Sequence, residues 1–282
     1  MSEMTKSPVF VAGKDALQLE EQRRGRSISW ARIGFGALGI ALFLAVWEVT
    51  ALVKDDPSIL PTVTATASTF WHYLFHDYPS VNGHTLVGHT IASSERILSG
   101  WAIGTVAGIA LGGAMASARA VRFMVDPLIE LTRPLPPLAF LPLLIVWFGI
   151  DNTPKIVLIV IGVVPIITIA TITSLDAVPA ELVQASRSLG ASPLYALLTV
   201  HLRAALPTII TGMRLAMGGA WTSVVAAELI ASDSGLGYLI NQAGQNLQMS
   251  LLVSGIVAIA IVGIVLDSLL RLLHRRTDPT SR

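Results

Sequence analysis

The stretch PAELVQASRSLGASPLYALLTVHLRAALP, residues 179–207, interrupts a chain otherwise dominated by long apolar runs. It is amphipathic, carries Glu181, Arg187 and Arg203, and breaks at Gly190. Pro179 suits a first helical position, where a missing N–H has no intrahelical bond to lose. Glu181 then falls in the first turn, where the helix dipole favours a carboxylate. Leu182, Ala185, Ser186 and Leu189 share one face at helical spacing. Gly190 stands where a left-handed residue closes a helix. Ser192 and Pro193 supply the N-cap and first position of a second helix, expected to run toward Pro207. The segment far exceeds an ordinary link between packed helices, which takes about 2–8 residues. A short helix with one small-residue face has the shape to dock in a groove on another protein.

The surroundings of this segment are those of a membrane protein. Of 282 residues, 53% are hydrophobic and 13% charged, and the mean hydropathy is +0.68. A soluble domain carries about 25% charged residues, and a bilayer core selects against charge in just this way. Six runs are long enough to span, near 34–53, 90–116, 124–149, 155–174, 207–231 and 251–270; the third and fifth contain charges. With the N-terminus in the cytoplasm, fourteen of the nineteen Lys and Arg residues fall inside, two (Lys54 and Lys155) outside, and three (Arg96, Arg133 and Arg214) within spans. The positive-inside bias therefore places both termini, and residues 179–207, in the cytoplasm.

The first 33 residues are largely polar and end in a basic cluster at Arg23, Arg24, Arg26 and Arg32. The apolar run that follows reads as a retained anchor rather than a signal peptide. The expected organisation is a cytoplasmic tail (1–33), a membrane domain (34–275) containing the loop 175–206, and a short cytoplasmic tail (276–282). The absence of cysteine excludes disulfides, thiol nucleophiles and thiolate metal sites.

Residues 184–203 resemble the EAA loop of permease subunits in ATP-binding-cassette importers. That pattern is Glu-Ala-Ala, three residues, Gly, nine residues, Ile, one residue, Leu-Pro. Here Gln184-Ala185-Ser186 precede Gly190, and Val200, Leu202 and Arg203 follow. Gln184 replaces Glu, Ser186 replaces Ala and Arg203 replaces Pro, while the glycine keeps its spacing and Ala205–Pro207 supplies a later "ALP". "DPLIELTRPLPPLAFLPLLIVWFGI" (126–150), "RLAMGGAWTSVVAAELI" (214–230) and "GLGYLINQAG" (235–244) resemble the nitrate/sulfonate/taurine branch of these permeases, its taurine members above all, over about residues 34–275. The resemblance implies an all-α, type I (MetI-like) permease fold in the bacterial inner membrane. It implies a second permease copy, two ATPase subunits that bind ATP and Mg, and an extracytoplasmic substrate-binding protein, with no nucleic acid and no cofactor in this chain. Glu181, Gln184, Ala185, Ser186, Leu189 and Gly190 would form the coupling helix that enters the ATPase. The implied substrate is taurine, a related sulfonate, nitrate or another small anion.

Other features admit a structural reading beside a functional one. Gly100, Gly104, Gly108 and Gly112 recur every four residues and favour close helix packing. The prolines in "RPLPPLAFLP" (133–142) forbid a regular helix. They mark either a broken segment at the translocation path, with Arg133, Pro136 and Pro137, or an interfacial break before a span starting near Leu138. Arg214 and Glu228 lie within span five and are the other path candidates. Arg214 alternatively snorkels to the cytoplasmic edge, and Glu228 alternatively makes a structural hydrogen bond. Glu130 and Arg133 are expected to satisfy each other, and Asp267 and Arg271 to pair at i,i+4. Glu48, Glu95 and Arg96 are placed near the outer interface. His72 and His76 have metal-compatible spacing but no third ligand; residues 62–78 read better as an interfacial helix with Phe70, Trp71 and Tyr73 at the headgroups. Asn241, Gln242, Gln245 and Asn246 read as a polar outer loop, either facing a binding protein or solvated.

No GxxxxGK[ST] loop and no catalytic triad or metal constellation gathers at one depth. The chain is therefore expected to be non-catalytic, with ATP hydrolysed by a partner. An ion-coupled secondary transporter is the alternative, and an intramembrane enzyme a third class.

Overall fold

The computed structural model describes Trp30 and residues 33–77 and 84–277. Most of the basic N-terminal tail and residues 278–282 of the C-terminal one lie outside that range. Every regular element among the described residues is helical. The chain divides into two compact units at residue 64.

In the first unit, α1 (Ile33–Lys54) leaves Leu38, Leu42, Phe43 and Val49 exposed. The chain then folds back along the helix. Trp47 Nε1 donates to the Pro61 carbonyl at 2.9 Å, and the Val63 amide donates to Glu48 Oε2 at 2.6 Å. Glu48, expected at an interface, is thus a backbone acceptor. Beyond the helix end, the hydroxyl and amide of Ser58 donate to Asp56 and hold its carboxyl below the usual carboxylate range.

The second unit contains α2 (Val63–Tyr73), α3 (Leu86–Ser117), α4 (Arg119–Thr132), α5 (Leu141–Phe148) and α6 (Asn152–Asp176). After these come α7 (Ala180–Ser188), α8 (Pro193–Ala196), α9 (Leu202–Ile230), α10 (Leu236–Gln245) and α11 (Met249–Thr277). The core forms where α3, α6, α9, α10 and α11 meet, around Ile97, Ile159, Ile167, Val224 and Leu239.

The glycine stripe of α3 explains its closest packing. A Cβ at Gly100, Gly104 or Gly108 would come within 2.7–2.8 Å of Ile159, Val163 or Ile167. Gly112 meets Thr171 in the same way. Hydrocarbon offers no hydrophobic drive for helix association, so close van der Waals contact over small residues supplies the adhesion.

Among the described residues, five helices are long and apolar enough to cross a membrane. A further apolar pair is sharply bent: α4 meets the segment Pro137–Phe148 at 91°. Pro136 and Pro137 cannot donate the bonds that would continue α4, and the chain passes through a single 3-10 turn (Pro137–Phe140) into α5. The fifth span begins ten residues earlier than its apolar run, at Leu197, and reaches Ile230. Pro207 lies inside α9 and does not end the preceding helix. Its one missing backbone bond is outweighed by burial of Ala205, Ile209 and Ile210 around it.

Candidate functional site: an exposed loop, a cavity and a buried ion pair

The segment between α6 and α9 folds as its local signals dictate. Gly190 has φ +82°, the left-handed region open to glycine. The Leu189 amide donates to Ala185 at 3.2 Å and the Ala191 amide to Ser186 at 3.1 Å, closing α7. Ser192 caps the next turn, its Oγ accepting from the Tyr195 amide at 3.3 Å. Leu197–His201 then adopts a π-helical stretch that feeds directly into α9. Of the candidate coupling residues, Glu181, Gln184, Ala185, Leu189 and Gly190 are exposed and only Ser186 is buried. Leu189 is 88% exposed.

A cavity of about 660 Å³ opens between the α4–α5 break, α6 and α9. Arg133 and Pro137 line it from the break. Thr173 of α6 and Thr208 and Thr211 of α9 add hydroxyls, and Ile161, Ile166, Ile169 and Leu215 add apolar wall. Arg133 is the only charged lining residue among the described residues. Its guanidinium has no hydrogen bond or ion pair among the described residues. The expected Glu130–Arg133 pair does not form: Arg133 turns to the cavity and Glu130 does not line it. Pro136, an N-cap position with extended backbone, is not a lining residue either. The lining residues of α9 lie in its half nearer α7, and those of α6 run from Ile161, near its middle, to Thr173, near the end that leads to α7, so the cavity extends from mid-helix toward the loop.

Arg214 and Glu228 go to different neighbours. Arg214 forks onto Asp267 of α11, Nε to Oδ1 at 2.9 Å and Nη2 to Oδ2 at 3.2 Å. Arg271 joins the same carboxylate at 3.0 Å, as its spacing predicts. Glu228 lies at the far end of α9, 1% exposed, and holds Arg96 of α3 at 2.6 Å. Arg96, expected near an interface, is 4% exposed. Ser93 Oγ bridges both Glu228 oxygens at 2.8 and 2.9 Å, and the Gly237 amide donates to Oε2 at 3.0 Å. Arg96 also reaches Asn152 of α6 and the carbonyl and hydroxyl of Ser234. His89 Nδ1 accepts from the Gly235 amide, and Ser93 Oγ accepts from Leu236. The carboxylate thus ties α3, α9 and the start of α10 together. Lys155, almost fully buried at the start of α6, lies within electrostatic reach of Glu228 and Asp233.

The polar run after Gly237 is helix rather than loop. α10 buries Leu236, Leu239 and Ala243 against the core, and Asn241 Nδ2 donates to the Leu229 carbonyl at 2.8 Å. The rings of His72 and His76 stack at 4.8 Å, with His76 Nδ1 on the His72 carbonyl. No group of three metal-ligating side chains occurs among the described residues.

Residues 104–279 match the family model described as binding-protein-dependent transport system inner membrane component. The chain is 42% identical, over 93% of its length and 96% of the relative's, to the taurine transport system permease protein of Escherichia coli. It is 35% identical to a putative aliphatic sulfonates transport permease protein of Bacillus subtilis, over 86% of this chain and 85% of that one. A nitrate import permease protein of Synechococcus elongatus is 28% identical over 86% of this chain and 89% of its own. Among solved structures, the inward-facing methionine transporter MetNI superposes with a TM-score of 0.62 at 20% identity, covering 68% of this chain and 96% of that one. That likeness shows the fold.

Proposed function

The chain belongs to the family of inner membrane components of binding-protein-dependent transport systems, and from that premise we propose that it is the permease subunit of an ATP-driven importer for taurine or a related sulfonate. The observation that carries the reading is the cavity beside the broken span, whose single charged lining residue is the unpaired cation Arg133. A concave site with apolar walls and a few polar groups is the ordinary form of a small-molecule site. Irregular backbone at membrane depth is tolerated where it lines such a cavity. The relatives named for taurine and sulfonate transport support an anionic cargo.

In this reading the chain catalyses nothing and binds no cofactor. ATP and Mg act in two separate ATPase subunits, two permease copies form the pathway, and a binding protein delivers substrate from outside. The positive-inside bias of the sequence supports a cytoplasmic α7, and the family description supports a place in a bacterial inner membrane. Glu181, Gln184, Ala185, Ser186, Leu189 and Gly190 would enter a groove on the ATPase, and the exposure of five of the six supports this. The continuous helical path from α8 through the π-helical stretch into α9 gives that contact a mechanical route to Thr208 and Thr211 at the cavity.

The test is uptake of labelled taurine in cells lacking their own taurine importer, supplied with this chain, its binding protein and its ATPase. ATPase-dependent uptake is expected. Uptake without the ATPase refutes the ATP-driven mechanism. Uptake of nitrate but not of taurine refutes the substrate.

A further inference from the structure

The cavity has a second pole, created by a proline inside α6. Residues 161, 165, 169 and 173 all line it and recur every four residues, so one face of α6 forms the wall. Pro165 lies within that helix. It has no N–H, so the carbonyl of Ile161, four residues earlier, lacks its intrahelical donor. In a helix each carbonyl points along the axis toward residue i+4, and here both residues of the broken pair face the cavity. The nearest threonine hydroxyl in the following turn, Thr168 Oγ1, is taken up by Val164 at 2.7 Å. A buried carbonyl without a donor is costly, so this one is left to take its partner from the cavity. The same cavity is lined by Arg133, a cation with no counter-charge among the described residues. The lining contains no carboxylate.

We propose that the cavity is a two-pole site for an amino-sulfonate zwitterion, with Arg133 taking the acid group and the Ile161 carbonyl, freed by Pro165, taking the ammonium. This rests on the reading of the cavity as part of the substrate path. A guanidinium offers a rigid fork of N–H donors to a tetrahedral oxyanion. An ammonium offers three N–H donors and needs an acceptor, which a backbone carbonyl supplies without placing a second anion beside the sulfonate. A sulfonate with no amine satisfies Arg133 and leaves the Ile161 carbonyl bare. The permease therefore reads both ends of its cargo.

The experiment uses the full chain with its ATPase subunits in lipid nanodiscs, without nucleotide, titrated with taurine and with ethanesulfonate and followed by ligand-observed NMR. A hydrogen bond to a charged group predicts that taurine binds about tenfold more tightly than ethanesulfonate. Pro165→Ala restores the amide that bonds Ile161. It is expected to bring the two ligands within about twofold of each other, mainly by weakening taurine. Pro165→Gly restores the same amide and serves if the alanine variant does not assemble. Arg133→Gln is expected to weaken both ligands by about tenfold or more, and Arg133→Lys to recover part of that loss. Equal binding of the two ligands to the unaltered chain, binding of neither, or a taurine preference that survives in a folded Pro165 variant each overturns the proposal. ATP-dependent taurine uptake is measured in parallel. Uptake that persists without a binding preference overturns this inference alone, whereas absence of ATP-dependent uptake overturns the transport reading beneath it.

Discussion

Removing the Glu228 carboxylate is the most severe single change available at the end of the bundle opposite α7. Arg96 is 4% exposed and has its only ion pair among the described residues there, at 2.6 Å. In Glu228→Ala the guanidinium keeps Asn152 and Ser234 but loses its counter-charge. Ser93 Oγ and the Gly237 amide lose their acceptor at the same time. Stranding one partner of a buried ion pair costs about 3–5 kcal/mol, and each orphaned neutral donor adds about 1–3 kcal/mol where water cannot replace the bond. The variant should therefore lose at least about 3 kcal/mol, a sum dominated by the uncompensated charge. SDS titration of the detergent-solubilised chain, followed by circular dichroism, reads the loss directly. Arg96→Met/Glu228→Leu removes both charges and fills their volume. It should be milder than either single change, because pairwise interaction makes the two losses strongly non-additive. Ser93→Ala leaves the ion pair intact but strands the buried Leu236 amide, and should cost about 1–3 kcal/mol. A loss below about 1 kcal/mol for Glu228→Ala, or a double variant equal to the sum of the singles, would refute the argument that the carboxylate holds these helices together.

Further changes test the packing and the loop. Gly108→Leu drives a side chain into Ile167, where even a Cβ comes to 2.7 Å; overpacking of this kind costs about 1–3 kcal/mol or more, and membrane yield and SDS resistance should both fall. Gly190→Val forces a β-branched residue to φ +82° with no neighbour in its way. The strain should distort the end of α7 and reduce taurine uptake while the chain still reaches the membrane; unchanged uptake would separate α7 from coupling. Arg214→Gln and Asp267→Asn each break one side of the same fork. If Arg214 serves α9–α11 packing, the two variants should lose stability alike and keep the same apparent affinity for taurine; a selective rise in the apparent KM for Arg214→Gln would place it on the substrate route instead.

The local parts of this fold were legible because their causes are local. A proline at N1, a serine cap and a glycine at a left-handed position act within five residues of where they stand, and the turn between α7 and α8 forms as those residues direct. The glycine stripe was legible for the same reason, although its partner, α6, was not. The start of α9 was misjudged at Pro207, since a proline's local penalty is visible in sequence and the burial that outweighs it is not. The polar run 241–246 was misread as loop because most of the apolar residues that anchor α10, Leu236 and Leu239 among them, precede it and only Ala243 falls within it.

The Arg96–Glu228 pair shows where such reasoning stops. The partners are 132 residues apart, and each has nearer residues of opposite charge: Glu95 beside Arg96, and Arg214 on the same helix as Glu228. Neither nearer choice forms, because neither puts both groups in the same dry space. A charge inside a span is costly enough to demand a partner, but cost alone names no partner. The Gly235-Leu236-Gly237 turn supplies what pairwise spacing lacks. A Cβ at Gly237 would come to 2.7 Å from the Glu228 Cβ, and one at Gly235 would overlap its carboxylate. Those two glycines leave room for the carboxylate under the α9–α10 turn, within reach of the Gly237 amide and of Ser93 one turn before Arg96. The sequence signal was therefore present as Ser93-x-x-Arg96 together with Glu228 and a Gly-x-Gly seven residues later. It becomes readable only once α3 is known to lie beside α9, and the side-by-side packing of α3 and α6 along the glycine stripe is what brings that about.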